Sequence, residues 1–387
     1  MRHFAHLRDA ELARLFHCSP EPFTLDDEPE LLAIALGATL YSPATRATLA
    51  ADIARRAGQG VISTVVCLED AVADHDLAAA ELNAVAQLRA LAEAQVPSSM
   101  VFVRVRNVEQ VATVVNSLGP YLGVLTGFVI PKFTEDSGVA FLEAVAQASS
   151  ANGQRLFAMP VVESPEVIHR ETRTNALLGI QRVLDKYRES VLAVRVGATD
   201  LSSVYGLRRP HDLTIYDVRL VADAIADTVN ILGRADGTGF VVTGPVWEHI
   251  SISERIFKSQ LRESPFDAHE VRPLRARLVA ANLDGLIREV LLDRANGLTG
   301  KTVIHPMHVA AVHALSVVTH EEYTDARAVV GAANAGGGVV ASEYRNKMNE
   351  AKPHRSWARR TLQRAQVFGV ARADVSFVDL LDASLSS

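Results

Sequence analysis

The chain has 387 residues, of which 48% are hydrophobic and 22% are charged, and its formal net charge is −6. A chain of this size can bury a large core without disulfides, and its acidic balance argues against a mainly nucleic-acid-binding surface. Only two cysteines occur, and no apolar run is long enough to span a bilayer. The first residues carry charges where a signal peptide would be apolar. We therefore expect a cytoplasmic protein with neither a nucleic-acid nor a membrane partner.

Short β-branched apolar runs alternate with longer segments of helical periodicity. The runs predicted to be strands are residues 38–41, 61–68, 100–105, 127–130, 156–162, 191–196, 240–246 and 302–304. Residues 48–57, 77–94, 138–149 and 216–232 are predicted to be amphipathic helices. Eight strands that alternate with helices favour a closed (β/α)8 TIM barrel. The competing open doubly wound sheet lacks its usual support, because no G-x-G-x-x-G follows the first strand.

The sequence predicts three parts: an N-terminal arm (1–37), the barrel (38–318) and a C-terminal helical lid or oligomerisation segment (319–387). Within the last part, residues 326–335 are predicted to be helical, and three glycines at 336–338 form a flexible joint. Residues 342–364 are strongly charged. A charged segment that follows a flexible joint could close over an active site as a lid. The alternative, which stays open, is that this segment is a charged helix exposed to solvent.

Ionisable residues occur at one predicted strand end after another. In order they are Arg46, Glu69 with Asp70, Arg104, Lys132, Glu163, Asp200, Glu248 and His305. In a parallel barrel these ends share one rim, where catalytic groups lie, and a buried strand is a costly place for a charge. The alternative is that loops begin there and loops are polar. The unbroken series favours an active site at the rim.

Glu163 and Asp200 close the fifth and sixth predicted strands and would be neighbours at that rim. Two adjacent carboxylates repel, and a hard divalent cation such as Mg²⁺ would relieve the repulsion. Gly197, just before Asp200, leaves room for a close backbone approach. The alternative is two loop carboxylates that pair with arginines, and the spacing alone leaves both readings open.

Two cations on neighbouring strands are further candidates. Arg104 points inward from a buried strand, so it requires an anion, either a substrate carboxylate or its neighbours Glu69 and Asp70. Lys132 could form a Schiff base with a substrate, as in some barrel aldolases. Pairing of Lys132 with a nearby carboxylate is the favoured interpretation.

Eight short motifs follow one another along the chain. They are Pro43-Ala-Thr-Arg46, Cys67-Leu-Glu69-Asp70, Val103-Arg104-Val105, Ile130-Pro-Lys132, Val162-Glu163-Ser164, the stretch from Gly197 through Asp200 to Gly206, Gly297-Leu-Thr-Gly300-Lys301-Thr-Val-Ile-His305-Pro306, and Lys347-Met348-Asn-Glu350-Ala. In this order they resemble the citrate lyase β-subunit-like family within the aldolase/citrate lyase group. Within that family they resemble a C–C lyase subgroup associated with tellurium-resistance gene sets.

The resemblance implies a barrel with Mg²⁺ held by Glu163 and Asp200 and with Arg104 binding the substrate. It also implies cleavage or formation of a C–C bond beside a carboxylate, often on a coenzyme A thioester. Glu69 and Asp70 would orient Arg104 and the metal's water molecules. The substrate would also contact Glu163, Lys132 and Gly197, with Arg46 placed for thioester phosphates.

The family's region that matches Glu350 closes over a neighbouring subunit and supplies an acidic catalytic group. The resemblance therefore implies a homo-oligomer, a trimer or a hexamer, whose tail acts on its own barrel or on the next. Three positions depart from the family pattern at the first-strand loop and the substrate wall: Ala44, Cys67 and Arg106. The stretch from 248 to 286 is also longer and more charged than usual. These departures argue against citryl or malyl thioester as the substrate.

The motifs and the residues together predict a Mg²⁺-dependent C–C lyase of the retro-aldol or retro-Claisen type. Its substrate would be a hydroxy- or oxo-carboxylic acid or the CoA thioester of such an acid. Three alternatives stay open: a Schiff-base aldolase that uses Lys132, an acyl-CoA thioester hydrolase on the same metal site, and a non-catalytic ligand-binding scaffold.

Overall fold

The computed structural model of the protein describes residues 1–94, 99–250 and 283–386. Most of the long charged stretch from 248 to 286 thus lies outside the described residues. The N-terminal part consists of helix α1 (Asp9–Leu15), strand β1 (Phe16–Cys18) and helix α2 (Pro29–Ala35). Helix α2 begins with a proline, whose fixed φ suits the first helical turn, and its buried face packs at the start of the barrel.

Eight parallel strands form a closed barrel. They are β2 (Ala38–Pro43), β3 (Ser63–Cys67), β4 (Met100–Arg104), β5 (Gly127–Ile130), β6 (Phe157–Val162), β7 (Val194–Val196), β8 (Val242–Trp247) and β9 (Thr299–Val303). They pair in chain order, and β9 pairs with β2 to close the ring. Each overlaps one predicted strand, so the TIM barrel is confirmed and the open doubly wound sheet is wrong. Both faces of the strands are buried, which explains their nearly continuous apolar sequence.

Helices follow the strands and cover the barrel. They are α3 (Leu49–Gly58), α4 (Leu77–Glu93), α5 (Glu109–Leu118), α6 (Glu135–Asn152), α7 (Pro165–Ile168), α8 (Arg173–Lys186), α9 (Ala198–Ser203), α10 (Arg219–Leu232), α11 (Leu283–Ala295) and α12 (Met307–Ser316). Short 3-10 turns occupy Asp74–Asp76, Gly119–Val124, Arg188–Ser190 and Ile215–Asp217. Helix α6 begins three residues earlier than predicted, because Thr134 caps it by accepting a hydrogen bond from the Ser137 N–H.

The C-terminal part contains helices and also a β-hairpin. Its elements are α13 (His320–Asn334), β10 (Val339–Ala341), β11 (Met348–Glu350), α14 (Arg355–Phe368), β12 (Val370–Ala371) and α15 (Phe377–Ser386). The predicted helix at 326–335 falls almost wholly within α13, and the three glycines at 336–338 all have positive φ, as a joint requires. Strands β10 and β11 were not expected, since both are short and carry no apolar alternation. Strand β12 pairs with β1 and thereby joins the two ends of the chain.

The C-terminal part lies on the amino-terminal side of its own barrel. Helix α14 packs against α2, and Arg360 in α14 donates a hydrogen bond to the carbonyl of Gly233, at 3.2 Å. Gly233 follows α10 and precedes β8, so it belongs to the end of the barrel opposite the rim of strand carboxyl ends. Helix α14 of the tail therefore covers the far end of the barrel.

The Gly-Leu-Thr-Gly-Lys motif closes the barrel with a buried ion network. Gly300 has φ +69°, and a Cβ there would lie 2.4 Å from the carbonyl oxygen of Gly37. Next to it, the Lys301 ammonium lies 2.7 Å from Glu289 and 2.7 Å from Asp293, and these three side chains are almost completely buried. Burial and the charge of Glu289 raise the pKa of Asp293 to about 6, against the pull of Lys301. Lys301 thus lies between two buried carboxylates of α11, and Arg209, equally buried, pairs with the other oxygen of Glu289.

Replacement of Lys301 should therefore destabilise the fold strongly. In Lys301→Met the carboxylates of Glu289 and Asp293 keep their burial but lose their shared cation, a change that costs about 3–5 kcal/mol. Urea unfolding at pH 8 measures this loss. The control is Lys186→Met, whose ammonium is exposed and 3.8 Å from the Glu143 carboxylate, and which should leave the unfolding midpoint close to that of the wild type. Equal midpoints for the two variants would contradict the structural role of Lys301.

Candidate active site

A cavity of about 430 Å³ opens at the carboxyl-terminal rim of the barrel. Charged and polar residues from several strands line it, among them Tyr41, Asp70, Arg104, Glu163, Arg195 and Asp200. A larger cavity of about 660 Å³ lies on the opposite side, between α14 and the starts of β8 and β9. The rim cavity is the candidate site, because catalytic groups of parallel barrels lie at the strand carboxyl ends.

The guanidinium of Arg104 joins three carboxylates. Its Nη2 lies 2.8 Å from Glu69 Oε2, 3.0 Å from Glu163 Oε1 and 3.4 Å from Asp70 Oδ2. Arg104 is the last residue of β4, and the β3 and β6 strands end close to it, so three strand ends converge on one cation. Burial alone would lower the pKa of Arg104, but Glu163 and Glu69 raise it above its ordinary value. The structural pairing expected for Arg104 is thus present.

Lys132 supports the same carboxylates from the next strand. Its ammonium lies 2.6 Å from Glu69 Oε1 and 3.5 Å from Asp70 Oδ1, and its backbone N–H donates to Glu163 Oε1 at 2.9 Å. Its φ of +47° is rare for a residue with a side chain and places both donors on the cluster. The hydrogen bond to Glu69 raises the pKa of Lys132. A protonated lysine is a poor nucleophile, so the observed pairing opposes the Schiff-base alternative.

Glu163 is a buried carboxylate in an environment that disfavours its charge. Burial, followed by repulsion from Asp200 and Glu69, raises the pKa of Glu163 to about 7, although Arg104 opposes the shift. A Cβ on Gly197 would lie 1.9 Å from Glu163 Oε2. Only glycine at this position leaves room for the carboxylate, which accounts for the glycine that the sequence places before Asp200.

Asp70 and Asp200 stand nearer the mouth of the cavity. Asp200 lies in the first turn of α9. Burial, followed by the hydrogen bond and charge of Glu69 and then the charge of Asp200, raises the pKa of Asp70 to about 6. Burial opposes ionisation of Glu69, yet its hydrogen bond with Asp70 and the charge of Arg104 lower the pKa of Glu69. The coupled pair therefore keeps Glu69 ionised and makes Asp70 easier to protonate.

We call Glu69, Asp70, Arg104, Lys132, Glu163 and Asp200 the rim cluster. It contains two more carboxylates than cations. The sequence predicted each of its members, and the structure brings all six together. An excess of negative charge around hard oxygen donors can bind a cation, and the two cations can orient or bind an anionic substrate.

Of the predicted site residues outside the rim cluster, Gly197 lines the cavity, whereas Arg46 and Glu350 do not. Arg46 pairs with Asp52 at the start of α3, with its side chain partly exposed. Glu350 ends strand β11, opposite Val339 in the hairpin that packs on α13. In a single chain, the structure does not bring either residue into the cavity.

Sequence reasoning missed two charged or polar residues that line the cavity, Arg195 and Tyr41. Both residues lie in the middle of barrel strands. For Arg195, the sequence did contain a signal, because an arginine within an otherwise apolar predicted strand indicates a functional position. Arg106, a position that departs from the family pattern, lies beyond the end of β4. It pairs with Asp74 and donates to the carbonyl of Val72 at 2.7 Å, so it holds the loop that carries Glu69 and Asp70.

The sequence matches the family model of C–C bond lyases of the TIM-barrel fold over residues 30–370. Among curated proteins, none matches this sequence significantly. One similar solved structure is the CitE protein of Mycobacterium tuberculosis in complex with magnesium, acetoacetate and coenzyme A (TM-score 0.51, 18% identity, 85% of this chain and 97% of that chain). Another is a citrate lyase from Burkholderia xenovorans LB400 (TM-score 0.58, 15% identity, 89% of this chain and 96% of that chain). At these identities the likenesses show a shared fold.

Glu163 should make the stability of the metal-free protein depend on pH. Its pKa is raised in the folded state, so the folded protein holds this proton between about pH 4.5 and 7 while the unfolded chain releases it. Stability is therefore lost as the pH rises through this window. Glu163→Gln removes the effect and should stabilise the protein by more than about 1 kcal/mol at pH 8 and little at pH 5.

Thermal unfolding in a chelating buffer at both pH values measures this difference. The control is Glu166→Gln, an exposed carboxylate three residues away, which should show no such pH dependence. If Glu163→Gln changes the thermal stability by the same amount at pH 5 and at pH 8, the folded state does not raise the pKa of Glu163.

Proposed function

This chain belongs to the C–C bond lyase family of the TIM-barrel fold, and we propose that it is a Mg²⁺-dependent lyase. The reaction would cleave or form a carbon–carbon bond next to a carboxylate, in the retro-aldol or retro-Claisen manner. The observation that carries the proposal is the rim cluster, in which Glu163 and Asp200 supply negative charge that Arg104 and Lys132 do not fully neutralise.

The donor set fits Mg²⁺. Within the described residues, no group of three or more His, Cys, Asp or Glu side chains is arranged to hold a metal. Mg²⁺ does not need such a group, since it usually takes one or two protein carboxylates and fills its other positions with water and substrate oxygens. Glu163 and Asp200 would hold it, with Gly197 leaving space beside the Glu163 carboxylate. The similar CitE structure contains magnesium together with acetoacetate and coenzyme A.

Bound there, Mg²⁺ would supply Lewis acidity for the charge that develops on the substrate oxygen as the bond breaks. Arg104 would stabilise the same charge as a fixed donor. Glu69 and Lys132 hold Arg104 and the Glu163 carboxylate in place, so little reorganisation accompanies the reaction. Asp70, at the mouth of the cavity and half-exposed, would orient water near the metal.

The substrate would be a hydroxy- or oxo-carboxylic acid or the CoA thioester of such an acid. Arg46 follows β2 and its side chain is partly exposed, so it could contact thioester phosphates outside the cavity. Incubation with Mg²⁺ and candidate acids or thioesters tests the reaction: a keto acid product supports the lyase, and free CoA without C–C cleavage supports the hydrolase. A covalent adduct after borohydride treatment would support the aldolase that uses Lys132. Ligand binding without turnover would support the scaffold.

The metal assignment predicts the effect of Asp200→Asn. This substitution removes charge without changing volume, so Mg²⁺ affinity should fall at least about tenfold while the fold is kept. Calorimetric titration with Mg²⁺ and circular dichroism measure the two properties. The control is Asp223→Asn, a carboxylate on the surface of α10 that pairs with Arg219, and it should bind Mg²⁺ as the wild type does. Unchanged Mg²⁺ affinity in Asp200→Asn would refute the assignment.

We also propose that Glu350 serves the site of a neighbouring subunit. Its own barrel rim lies at the other end from the surface on which the tail packs, so a homo-oligomer is needed to bring it to a cavity. Glu350→Gln should then lose most turnover and keep Mg²⁺ binding. Mixing it with Asp200→Asn should restore part of the activity, because an intact tail meets an intact rim across the subunit boundary.

Steady-state rates of the single variants and of their mixture test this role. Glu343→Gln, an exposed carboxylate in the same hairpin, is the matched control and should turn over normally. Normal turnover by Glu350→Gln, or loss of turnover without rescue on mixing, would contradict action across the boundary.

A further inference from the structure

Arg195 is a buried cation in the barrel interior that faces neutral groups. It lies in the middle of β7 and is 2% exposed, and it lines the inner end of the rim cavity. Its Nη1 lies 3.4 Å from Thr39 Oγ1, and its Nη2 donates to Thr302 Oγ1. The guanidinium thus reaches across the barrel from β7 to β2 and β9, held by two hydroxyls.

The partners of the two arginines in the cavity differ in charge. Arg104 has three carboxylates within 3.4 Å. For Arg195, the contacts among the described residues are hydroxyls, the sulfur of Met159 and the ring of Tyr41, whose centroid is 5.6 Å from the guanidinium carbon. A cation–π contact offsets only part of the cost of burying an arginine. Buried charges are normally paired, so this one requires an anion that the described protein does not supply.

Both arginines belong to the same chamber. Burial raises the pKa of the Tyr41 phenol, while Arg195 and Arg104 both oppose the shift, so Tyr41 lies within electrostatic reach of each guanidinium. The charge of Arg104 is balanced by the carboxylates of Glu69, Asp70 and Glu163. An anion that enters the cavity from the rim therefore meets Arg195 as its unneutralised cation.

We propose that Arg195, assisted by Tyr41, is a subsite for a second carboxylate of the substrate. This inference rests on the proposed function, since it places the oxo or hydroxy end of the acid at Glu163 and Asp200. The far carboxylate would then lie at the inner end of the cavity. The substrate class is a small acid with carboxylates at both ends, and Arg195 would determine the preference for it over an acid with an apolar end.

Two acids with the same four-carbon backbone test the subsite. Oxaloacetate and 2-oxobutyrate share the 2-oxo acid end and differ in carrying a carboxylate or a methyl group at the other end. With Mg²⁺ present, calorimetry should show the wild type binding oxaloacetate at least about tenfold more tightly. In Arg195→Met the preference should fall to within about twofold, with 2-oxobutyrate affinity unchanged. An unchanged preference, or equal loss of both affinities, would overturn the subsite.

Two further variants keep the test decisive if Arg195→Met does not fold. Arg195→Lys keeps the charge but loses the two-pronged geometry, so the preference should fall at least about threefold. Tyr41→Phe keeps the ring and removes the hydroxyl, so it should reduce the preference for oxaloacetate and leave Mg²⁺ affinity unaltered. A preference equal to wild type in both variants would overturn the proposal.

The lyase function and the subsite can fail separately. A preference for oxaloacetate that depends on Arg195, in a protein that cleaves no acid or thioester, would leave the subsite standing and refute the lyase. Turnover of acids or thioesters without a preference for oxaloacetate would support the lyase and refute the subsite. Failure of the wild type to bind either acid would overturn the subsite.

Discussion

The contact between one guanidinium and three carboxylates organises the functional end of this barrel. Arg104 ends β4, Glu69 and Asp70 follow the adjacent strand β3, and Glu163 follows β6, two strands away; all three carboxylates lie within 3.4 Å of its Nη2. Without this cation the carboxylates would repel one another in a site largely removed from water. The strand ends, the left-handed backbone of Lys132 and the glycine beside Glu163 all serve to keep this one contact in place.

The same contact leaves the site incompletely neutralised. Two cations serve four carboxylates in the rim cluster, and burial together with repulsion from Asp200 and Glu69 raises the pKa of Glu163. Natural proteins accept such electrostatic strain where function needs it, and the surrounding fold must offset it. In contrast, the buried ion network around Lys301 contains as many cations as carboxylates, because Arg209 also pairs with Glu289.

The two arginines in the cavity have different roles because their neighbouring groups differ in charge. Arg104 is surrounded by carboxylates and therefore organises the protein's own groups, with a donor to spare for developing charge. Arg195 is surrounded by hydroxyls and an aromatic ring and retains its charge for a ligand. Arg104 at the rim is paired with carboxylates, whereas Arg195 inside the cavity has no anionic partner among the described residues. Such a cavity would orient an acid that carries charge at both ends.

The sequence by itself determined the barrel and the six members of the rim cluster. Strands buried on both faces must be continuous apolar runs, and parallel strand ends must share a rim, so Glu69, Arg104, Glu163 and Asp200 could be placed together from order alone. Only the tertiary structure decided which cation stays unpaired and where the tail lies. The partners of Arg195 are 156 and 107 residues away in the chain, and contacts across a closed barrel leave no periodic signal. The tail packs on the far end for the same reason, because α2 and α14 meet only once the barrel has brought the two ends of the chain together.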